Sequence, residues 1–300
     1  MGKKVCAIII SYNKVSPVIR AIKSVFRSYS NSKVILIDNS EDMNIFKILK
    51  HKLSAYSNIT FIKNKDNLGF AKAVNQGIKV ALRERTDYIL LLNDDAYLER
   101  NCINYLIDAL EKDKKALLAG PTIFYHKDRN MIWHTGGYFR KLLGSIYIPY
   151  KNKKLPFSYF KTLAPKEVDF LTGCVLLIKK EAVEKVGIFD EQLFFYGEDL
   201  DYSLRVKKME HKLIWVPYAF AWHDIEIEKG RTNPFVMRNL ARSNLVLRKK
   251  HFNVPYFIYY IFLHFALYTP YRFYQILKGS RNMASIKAWF KGSLEGVFSG

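Results

Sequence analysis

The sequence is poor in acidic residues. Its 300 residues contain 27 Asp and Glu against 48 Lys and Arg, which gives a formal net charge of +21 at pH 7 and a pI near 9.7. An excess of this size predicts an anionic partner such as a nucleic acid, a phospholipid surface or a phosphorylated substrate. The excess is uneven, because residues 229–300 hold 12 basic residues and one acidic residue, a net charge of 12 − 1 = +11.

The sequence also lacks the marks of zinc binding, disulfide frameworks and export. Its three cysteines, Cys6, Cys102 and Cys174, have no CxxC spacing and no histidine nearby in the sequence, so we expect buried, reduced thiols in a cytoplasmic protein. The N-terminus leads directly into the strand-like run Val5–Ile10, which is too short for a signal peptide and is followed by no small-residue cleavage site. We therefore expect no export by that route.

No internal repeat is present, but 49% of the residues are apolar, enough to form a core. Short β-branched runs alternate with amphipathic stretches through the first 120 residues, beginning with Val5–Ile10 and Val18–Phe26. This βα rhythm predicts an α/β fold, a doubly wound, mostly parallel sheet covered by helices on both sides. We predict a ligand-binding lobe over 1–120, a less regular lobe over 121–228 and a basic, aromatic helical tail over 229–300.

Two predicted strands end in carboxylates, where ligands gather in such sheets. Asp38 follows the strand ending at Ile37, and Asn93-Asp94-Asp95 follows the apolar run Tyr88–Leu92. A carboxylate pair at a strand end can hold Mg²⁺ or Mn²⁺ beside substrate phosphates. The same tripeptide is also common in plain surface turns, although the buried run before it favours a strand end.

A second acidic cluster, Gly197–Asp201, follows the aromatic residues Phe194-Phe195-Tyr196. Partial desolvation there would raise a carboxylate's pKa and make it a better proton acceptor. The alternative is an acidic first helical turn that complements the helix dipole, and the two interpretations can hold for different residues. His223 follows an apolar stretch and has the chemistry of a metal ligand, but alone it is typical of a structural histidine.

The segment Asn67–Lys72 lies where a strand passes into a helix, so its backbone N–H groups and Lys72 could meet a phosphate. It has neither P-loop nor GxGxxG spacing. On local chemistry alone it is an Asn-Gly turn at the start of a helix.

In their joint order, these segments resemble the family-two glycosyltransferases of the GT-A fold, and within them the rhamnosyltransferase-like branch. The resemblance covers about residues 5–245. The matching segments are Ile9–Asn13, Ile37–Ser40, Asn67–Ala71 with Asn75 and Gly77, Leu92–Asp95, Thr172-Gly173, Gly187–Glu191, Phe195–Asp201 with Arg205, and His223.

The resemblance implies an inverting transfer of a sugar from a nucleotide-diphosphate sugar to a saccharide or lipid-linked saccharide. It implies a divalent metal, Mn or Mg, held by Asp95 and His223, with Asp199 as the general base. Glu198 would bind the acceptor's hydroxyls or cap a helix. The residues expected to bind the donor are Ser11, Asn13, Asp38 at the nucleobase, Asn67, Gly69, Lys72 and Asp94 near the ribose or diphosphate; those expected to line the acceptor pocket are Trp133, His134, Thr172 and Gly173. The three segments then become a nucleotide-sugar-binding lobe, an acceptor-binding and catalytic lobe and a membrane-associating tail.

The run from Phe252 to Tyr271 is uncharged and aromatic. Pro255 and Pro270 should limit a regular helix to about fifteen residues, short of the roughly twenty that a membrane span needs. We therefore expect a segment that lies on an anionic membrane surface, at the inner face, with Arg248, Lys249, Lys250 and Arg272 flanking it. A single short span and a buried helical hairpin are the alternatives.

A basic nucleic-acid-binding protein is the main rival from another class, given the net charge and the many aromatic residues. The basic excess flanks the most apolar segment, however, and no recognition-helix, zinc-finger or RNP pattern is present, so we expect no nucleic acid partner. A polyprenyl-phosphate sugar synthase or a nucleotidyltransferase on the same fold is the nearer rival. The donor's nucleotide and sugar, the acceptor's identity and the oligomeric state stay open.

Overall fold

The computed structural model describes residues 2–225, 233–279 and 282–299. The first part of the chain alternates strands and helices. Its elements are β1 (Val5–Ser11), α1 (Ser16–Ser28), β2 (Ser32–Asp38), α2 (Met43–Lys52), β3 (Ile59–Lys63), α3 (Phe70–Arg83), β4 (Tyr88–Leu92), β5 (Ala96–Leu98), α4 (Cys102–Lys112) and β6 (Ala116–Tyr125).

The elements that follow are shorter up to α7. They are β7 (Ile132–His134), β8 (Tyr138–Arg140), β9 (Ser145–Tyr147), α5 (Phe157–Lys161), β10 (Lys166–Val168), β11 (Val175–Lys179), α6 (Lys180–Val186), α7 (Glu198–Lys208) and β12 (Lys212–His223). The C-terminal helices are α8 (Pro234–His251), α9 (Val254–Leu263), α10 (Thr269–Gly279) and α11 (Met283–Phe298).

One sheet organises the fold. Its strands lie in the order β10-β12-β6-β11-β4-β1-β2-β3, with β5 paired to β12 and β7 to β6. Within that order β3, β2, β1, β4, β6 and β12 run in one direction, whereas β11 and β10 run against it. Six of these eight strands therefore share a direction, and the expected mostly parallel sheet is confirmed.

Helices cover both faces of the sheet because the strand side chains alternate. In β1, Val5 and Ile9 point into a core cluster that includes residues of α1, α2 and α4. Cys6 and Ile8 point to the other face, where α3, α6 and α7 pack. The doubly wound α/β class follows from this two-sided burial.

The predicted division into lobes remains a prediction. Strand β6 runs continuously across residue 120, and strands from both predicted lobes share the one sheet. The boundary at residue 228 lies outside the described residues.

The C-terminal helices differ from the prediction at Pro270. The chain stays helical from α9 into α10 through a π-helical turn, His264–Tyr268. A proline cannot donate the N–H that an α-helix requires and its ring crowds the preceding turn, and a π turn there accommodates both effects. Pro270 therefore interrupts the regular helix without ending it. Among the described residues, no helix is both long enough and apolar enough to span a membrane.

Helix α11 packs closely against α8. A Cβ on Gly292 would lie 2.0 Å from the carbonyl oxygen of Arg238, and one on Gly296 would lie 2.8 Å from that of Arg242. Only glycine permits this backbone approach. Helix α8 in turn contacts the α/β part of the chain, since Lys250 and His251 lie 2.8 and 2.7 Å from Oδ1 of Asp201 in α7.

Candidate active site

The order of the strands brings the two acidic clusters to one edge of the sheet. Strand β11 runs antiparallel to β4, with Val175 opposite Leu92. The residues before β11 therefore lie beside those after β4, and the N–H of Asn93 donates to the carbonyl oxygen of Cys174 at 2.9 Å. Gly173, the residue before Cys174, donates its N–H to Oδ2 of Asp199 at 3.0 Å, so the second acidic cluster also reaches this strand end. Burial raises the pKa of the Cys174 thiol, and Asp95, Asp199 and Asp94 raise it further.

Asp94 and Asp95 share a cation supplied by the chain. The Nζ atom of Lys14, in the loop after β1, lies 2.9 Å from Oδ1 of Asp94 and 2.7 Å from Oδ2 of Asp95. Burial raises the pKa of Asp94 to about 6, because it outweighs the opposing effect of Lys14. Burial lowers the pKa of Lys14, but the two carboxylates outweigh it and the net shift is upward.

His223 joins this group because β12 pairs with β5, where His223 lies opposite Ala96. Its Nε2 atom is 3.0 Å from Oδ1 of Asp95. Burial alone would raise the pKa of Asp95, but the neighbouring His223 and Lys14 lower it to about 2. Trp133 packs edge-on against the His223 ring at 4.5 Å between centroids.

The donor chemistry here fits a divalent ion. Oδ1 of Asp95 and Nδ1 of His223 are buried, and neither has a hydrogen-bond partner of good geometry within the described ranges. A carboxylate oxygen beside an imidazole nitrogen suits Mn²⁺ and similar metals. No set of three His, Cys, Asp or Glu side chains that could hold a metal occurs in the described part of the chain. An ion held by Asp95 and His223 would therefore need further oxygen ligands from substrate or water.

Asp199 is held by backbone donors. Gly173 donates its N–H to Oδ2 of Asp199 at 3.0 Å, and Leu200 donates to Oδ1 at 2.8 Å. Burial raises the pKa of Asp199, although these two donors and the Thr172 side chain oppose the shift. The carboxylate is thus fixed in position and is a stronger proton acceptor than an exposed aspartate.

Glu198 precedes it at the first position of α7 and is buried. Its Oε2 atom has no hydrogen-bond partner among the residues that the structure describes. Burial and then repulsion from Asp199 raise the pKa of Glu198. The two carboxyl groups therefore form one buried pair, in which ionisation of Asp199 raises the pKa of Glu198.

Thr172 and Gly173, which the resemblance assigned to the acceptor pocket, contact Asp199 in the structure. A Cβ on Gly173 would meet Phe70 and Asp199 only at ordinary contact distances of 3.5 and 3.6 Å. The contact of Gly173 with Asp199 is instead the hydrogen bond that its backbone N–H donates.

The expected nucleobase contact, Asp38, lies at the end of β2 and is fully buried. Its Oδ1 accepts hydrogen bonds from the backbone and the hydroxyl of Ser40, at 3.2 and 2.6 Å. Its Oδ2 lies 3.6 Å from Nζ of Lys63 and receives no hydrogen bond from any described residue. Ser11 is buried at the end of β1, and Asn13 donates its N–H to the Ser40 hydroxyl at 2.8 Å. Ser11, Asn13 and Asp38 are thus brought together.

Asn67 and Gly69 shape the turn before α3. Oδ1 of Asn67 accepts the N–H of Gly69 at 3.0 Å, and Gly69 has φ +76°, where a Cβ would collide with Phe194. The amide of Asn39, after β2, also donates to Asn67. Lys72 is exposed and forms no ion pair with Asp94 or Asp95 in the described structure.

His134 is buried. Its Nδ1 accepts the N–H of Gly136 at 3.0 Å, and its ring packs edge-on against Phe170. Burial lowers the pKa of His134 to about 3, so this imidazole stays neutral. Trp133, by contrast, is half-buried against His223.

Sequence reasoning missed two groups. Lys14 lies three residues after β1, and only the adjacency of β1 and β4 could have indicated its contact with the carboxylates. Asp201, within the predicted acidic cluster, is fully buried and lies 2.8 Å from Nε of Arg205 as well as beside Lys250 and His251. These cations lower the pKa of Asp201 against the effect of burial and tie α7 to α8.

Known proteins share this architecture. The chain is 29% identical over 193 residues to an N-acetylglucosaminyl-diphospho-decaprenol L-rhamnosyltransferase of Mycobacterium tuberculosis; the match covers 59% of this chain and 62% of that protein. Two solved structures are similar in fold. One is GalNAc-T7 with UDP, GalNAc and Mn²⁺, with a TM-score of 0.62 and 15% identity, and the match covers 93% of this chain and 58% of that one. The other is the mannosyltransferase PcManGT of Pyrobaculum calidifontis with GDP-Man and Mn²⁺, with a TM-score of 0.61 and 10% identity, and the match covers 98% of this chain and 87% of that one.

The match thus spans less than two thirds of the rhamnosyltransferase's length. The expected GT-A fold and the resemblance to rhamnosyltransferases are confirmed by these similarities. The model of glycosyl transferase family 2 matches residues 6–187, more than half of the chain, and the chain belongs to that family of glycosyltransferases.

Proposed function

We propose that the protein transfers a sugar from a nucleotide-diphosphate sugar to a hydroxyl of a saccharide or lipid-linked saccharide, with inversion and with the help of a divalent metal. The observation that carries this proposal is the placement of a desolvated carboxylate, Asp199, at the same sheet edge as Asp94, Asp95 and His223. One edge then combines a proton acceptor with a group of metal-binding chemistry, as displacement at an anomeric carbon requires.

In the proposed reaction, Asp199 takes the proton of the acceptor hydroxyl. The acceptor oxygen forms a bond to the anomeric carbon, the bond from that carbon to the diphosphate oxygen breaks, and the diphosphate leaves with the electron pair. Attack opposite the leaving group inverts the anomeric centre. The Gly173 N–H keeps the Asp199 carboxylate oriented during proton transfer.

Asp95 and His223 would hold the metal, which when bound would act as a Lewis acid on the leaving diphosphate. The two solved glycosyltransferases of similar fold were determined with Mn²⁺, and this supports a divalent ion without choosing between Mn²⁺ and Mg²⁺. Those structures also contain UDP and GDP-Man, which supports a nucleotide-diphosphate donor.

The rhamnosyltransferase relative is named for a decaprenyl-diphosphate-linked acceptor, which supports a lipid-linked acceptor here. We propose that α9 provides the contact with the membrane's inner face. Val254, Ile258 and Phe262 recur every fourth residue on one side of α9 and are 69%, 61% and 66% exposed. Tyr259 donates its hydroxyl to the carbonyl of Leu142, a neighbouring apolar residue that is 80% exposed. We call Val254, Ile258 and Phe262 the α9 face.

Two of the cations predicted to flank this surface, Arg248 and Lys250, are engaged within the protein. Arg248 is buried, donates to the carbonyl of Gly144 and lies over the Tyr260 ring, and Lys250 is paired with Asp190 and Asp201. Neither is free to meet lipid headgroups. The exposed lysines of the C-terminal helices are the better candidates, and they are Lys249, Lys278, Lys287 and Lys291.

The test is to screen nucleotide-diphosphate sugars for release of nucleoside diphosphate by the full chain, with Mn²⁺, with Mg²⁺ and with chelator. Metal-dependent release from one donor, increased by a saccharide acceptor, is the expected result. Binding of RNA without turnover of any donor would overturn the proposal.

A further inference from the structure

We propose that Lys14 is a built-in counter-cation of the Asp94–Asp95 pair, and that its ammonium group opposes the binding of a divalent metal at Asp95. This inference rests on the proposed metal dependence. It concerns how tightly the metal binds, and it adds a residue to those that the resemblance implied.

The geometry makes Lys14 a bridge. Its Nζ contacts one oxygen of each carboxylate, at 2.9 and 2.7 Å, while the other oxygen of Asp95 faces His223. The side chains of Asp94 and Asp95 are only 11% and 18% exposed. Two neighbouring carboxylates with so little solvent need a cation, and within the described structure Lys14 supplies it.

The loop that carries Lys14 is fixed at its start. Tyr12 donates its N–H to Oδ2 of Asp94 at 3.3 Å, and Asn13, at φ +54°, donates to Ser40. The side chain of Lys14 is 38% exposed, so it has room to swing outward while its backbone stays in place.

A metal on Asp95 would meet a like charge at this position. The ammonium group contacts one oxygen of Asp95 and one oxygen of Asp94. A divalent ion therefore competes with it for the same negative charge. Removing the ammonium group leaves that charge uncompensated, and the site should then bind a cation more tightly. Neutralising Lys14 should therefore increase the metal affinity, whereas neutralising a lysine that helps to bind the metal would decrease it.

The experiment is a titration of the full chain with Mn²⁺ alone, without nucleotide, in which the electron paramagnetic resonance signal reports free Mn²⁺. Lys14→Met, which keeps the length of the side chain but removes its charge, should bind Mn²⁺ about tenfold more tightly than the parent or better. Lys14→Arg should stay within about threefold of the parent. Lys33→Met is the matched control, because Lys33 pairs with Glu84 at the opposite end of β2, and it should leave the affinity unchanged.

A second measurement, of thermal stability, separates a change in metal affinity from poor folding of a variant. Mn²⁺ should raise the thermal midpoint of Lys14→Met, or of the more polar Lys14→Gln, by more than it raises that of the parent. Adding Asp95→Asn to Lys14→Met should abolish the gain.

The possible failures are distinguishable. Equal Mn²⁺ affinity in the parent and in both neutral Lys14 variants would overturn the role of Lys14 and leave the proposed metal site standing. An absence of Mn²⁺ binding in every variant would overturn the metal site itself, and with it this inference.

Discussion

The backbone N–H of Gly173 donates a hydrogen bond to Oδ2 of Asp199 at 3.0 Å, and this contact joins the chain's two acidic clusters. The next residue, Cys174, accepts a hydrogen bond from Asn93 at the start of the other cluster. The position of Asp199 relative to Asp94 and Asp95 therefore depends on paired backbone rather than on a flexible side chain. Such rigid support is what a catalytic constellation needs.

Replacing Asp199 by Asn should abolish most turnover while leaving donor affinity within a few-fold of the parent. The amide keeps the shape of the side chain but cannot accept the acceptor's proton, and general-base contributions are about 10²–10⁴-fold in rate. Steady-state kcat, together with donor titration by calorimetry, checks this. Asp113→Asn, at a half-buried aspartate paired with Lys212 away from the site, is the control. Loss of donor binding with turnover retained at saturation would instead assign Asp199 to the donor site.

Chelation should stop transfer, and Mn²⁺ or Mg²⁺ should restore it. Asp95→Ala removes an oxygen donor beside His223, so metal-dependent donor binding should fall by more than the roughly 10–100-fold that loss of an outer-shell partner costs. Donor affinity measured with and without metal gives this ratio. Asp128→Ala, at a surface aspartate paired with Lys154, should behave like the parent. Full transfer by Asp95→Ala in chelator would refute the assignment.

The pH profile of kcat/KM should have two limbs that belong to the Glu198–Asp199 pair. The base must be ionised, so the rate should rise with pH through the pKa of Asp199, which burial raises above the ordinary aspartate range. At higher pH, ionisation of Glu198 adds a second buried negative charge and removes a hydrogen-bond donor, so the rate should fall. Glu198→Gln resembles the protonated acid and should lose the alkaline limb.

Exposed Glu41→Gln is the control for this profile and should keep both limbs. Persistence of the alkaline limb in Glu198→Gln would show that another group titrates there.

Much of the fold could be predicted from the sequence because its signals are local. The apolar β-branched run and the helical spacing identify β1 and α1 without knowledge of their neighbours. Strand order is not local, and the contacts that depend on it were missed. Lys14 reaches Asp94 only because β1 pairs with β4, and Gly173 reaches Asp199 only because β11 enters the sheet antiparallel.

The C-terminal region shows the same limit. Composition correctly predicted a helical C-terminal tail, and its first described helix, α8, is capped by the side chain of Asn233, which accepts the N–H of Phe235. Composition could not separate the cations that face solvent from Arg248, which tertiary packing buries against Gly144 and Tyr260.

The α9 face should hold the protein on anionic vesicles. Full burial of a large apolar side chain is worth about 1.5–3 kcal/mol, so replacing Ile258 and Phe262 together by serine should weaken vesicle binding at least about tenfold. Sedimentation with vesicles that contain phosphatidylserine measures this. Met209→Ser, at an exposed apolar residue outside the C-terminal helices, should have no effect.

Binding of the parent should also weaken at high salt, because the exposed lysines attract headgroups at about 1 kcal/mol each only within a screening length of about 8 Å at physiological ionic strength.

Point substitutions are preferable to truncation before residue 252, because α11 packs on α8 through Gly292 and its loss would uncover Met237. Transfer to a soluble acceptor should persist in the double variant, since Ile258 and Phe262 are remote in sequence from every proposed catalytic residue and are exposed. Unchanged sedimentation of that variant would show that the α9 face does not contact lipid.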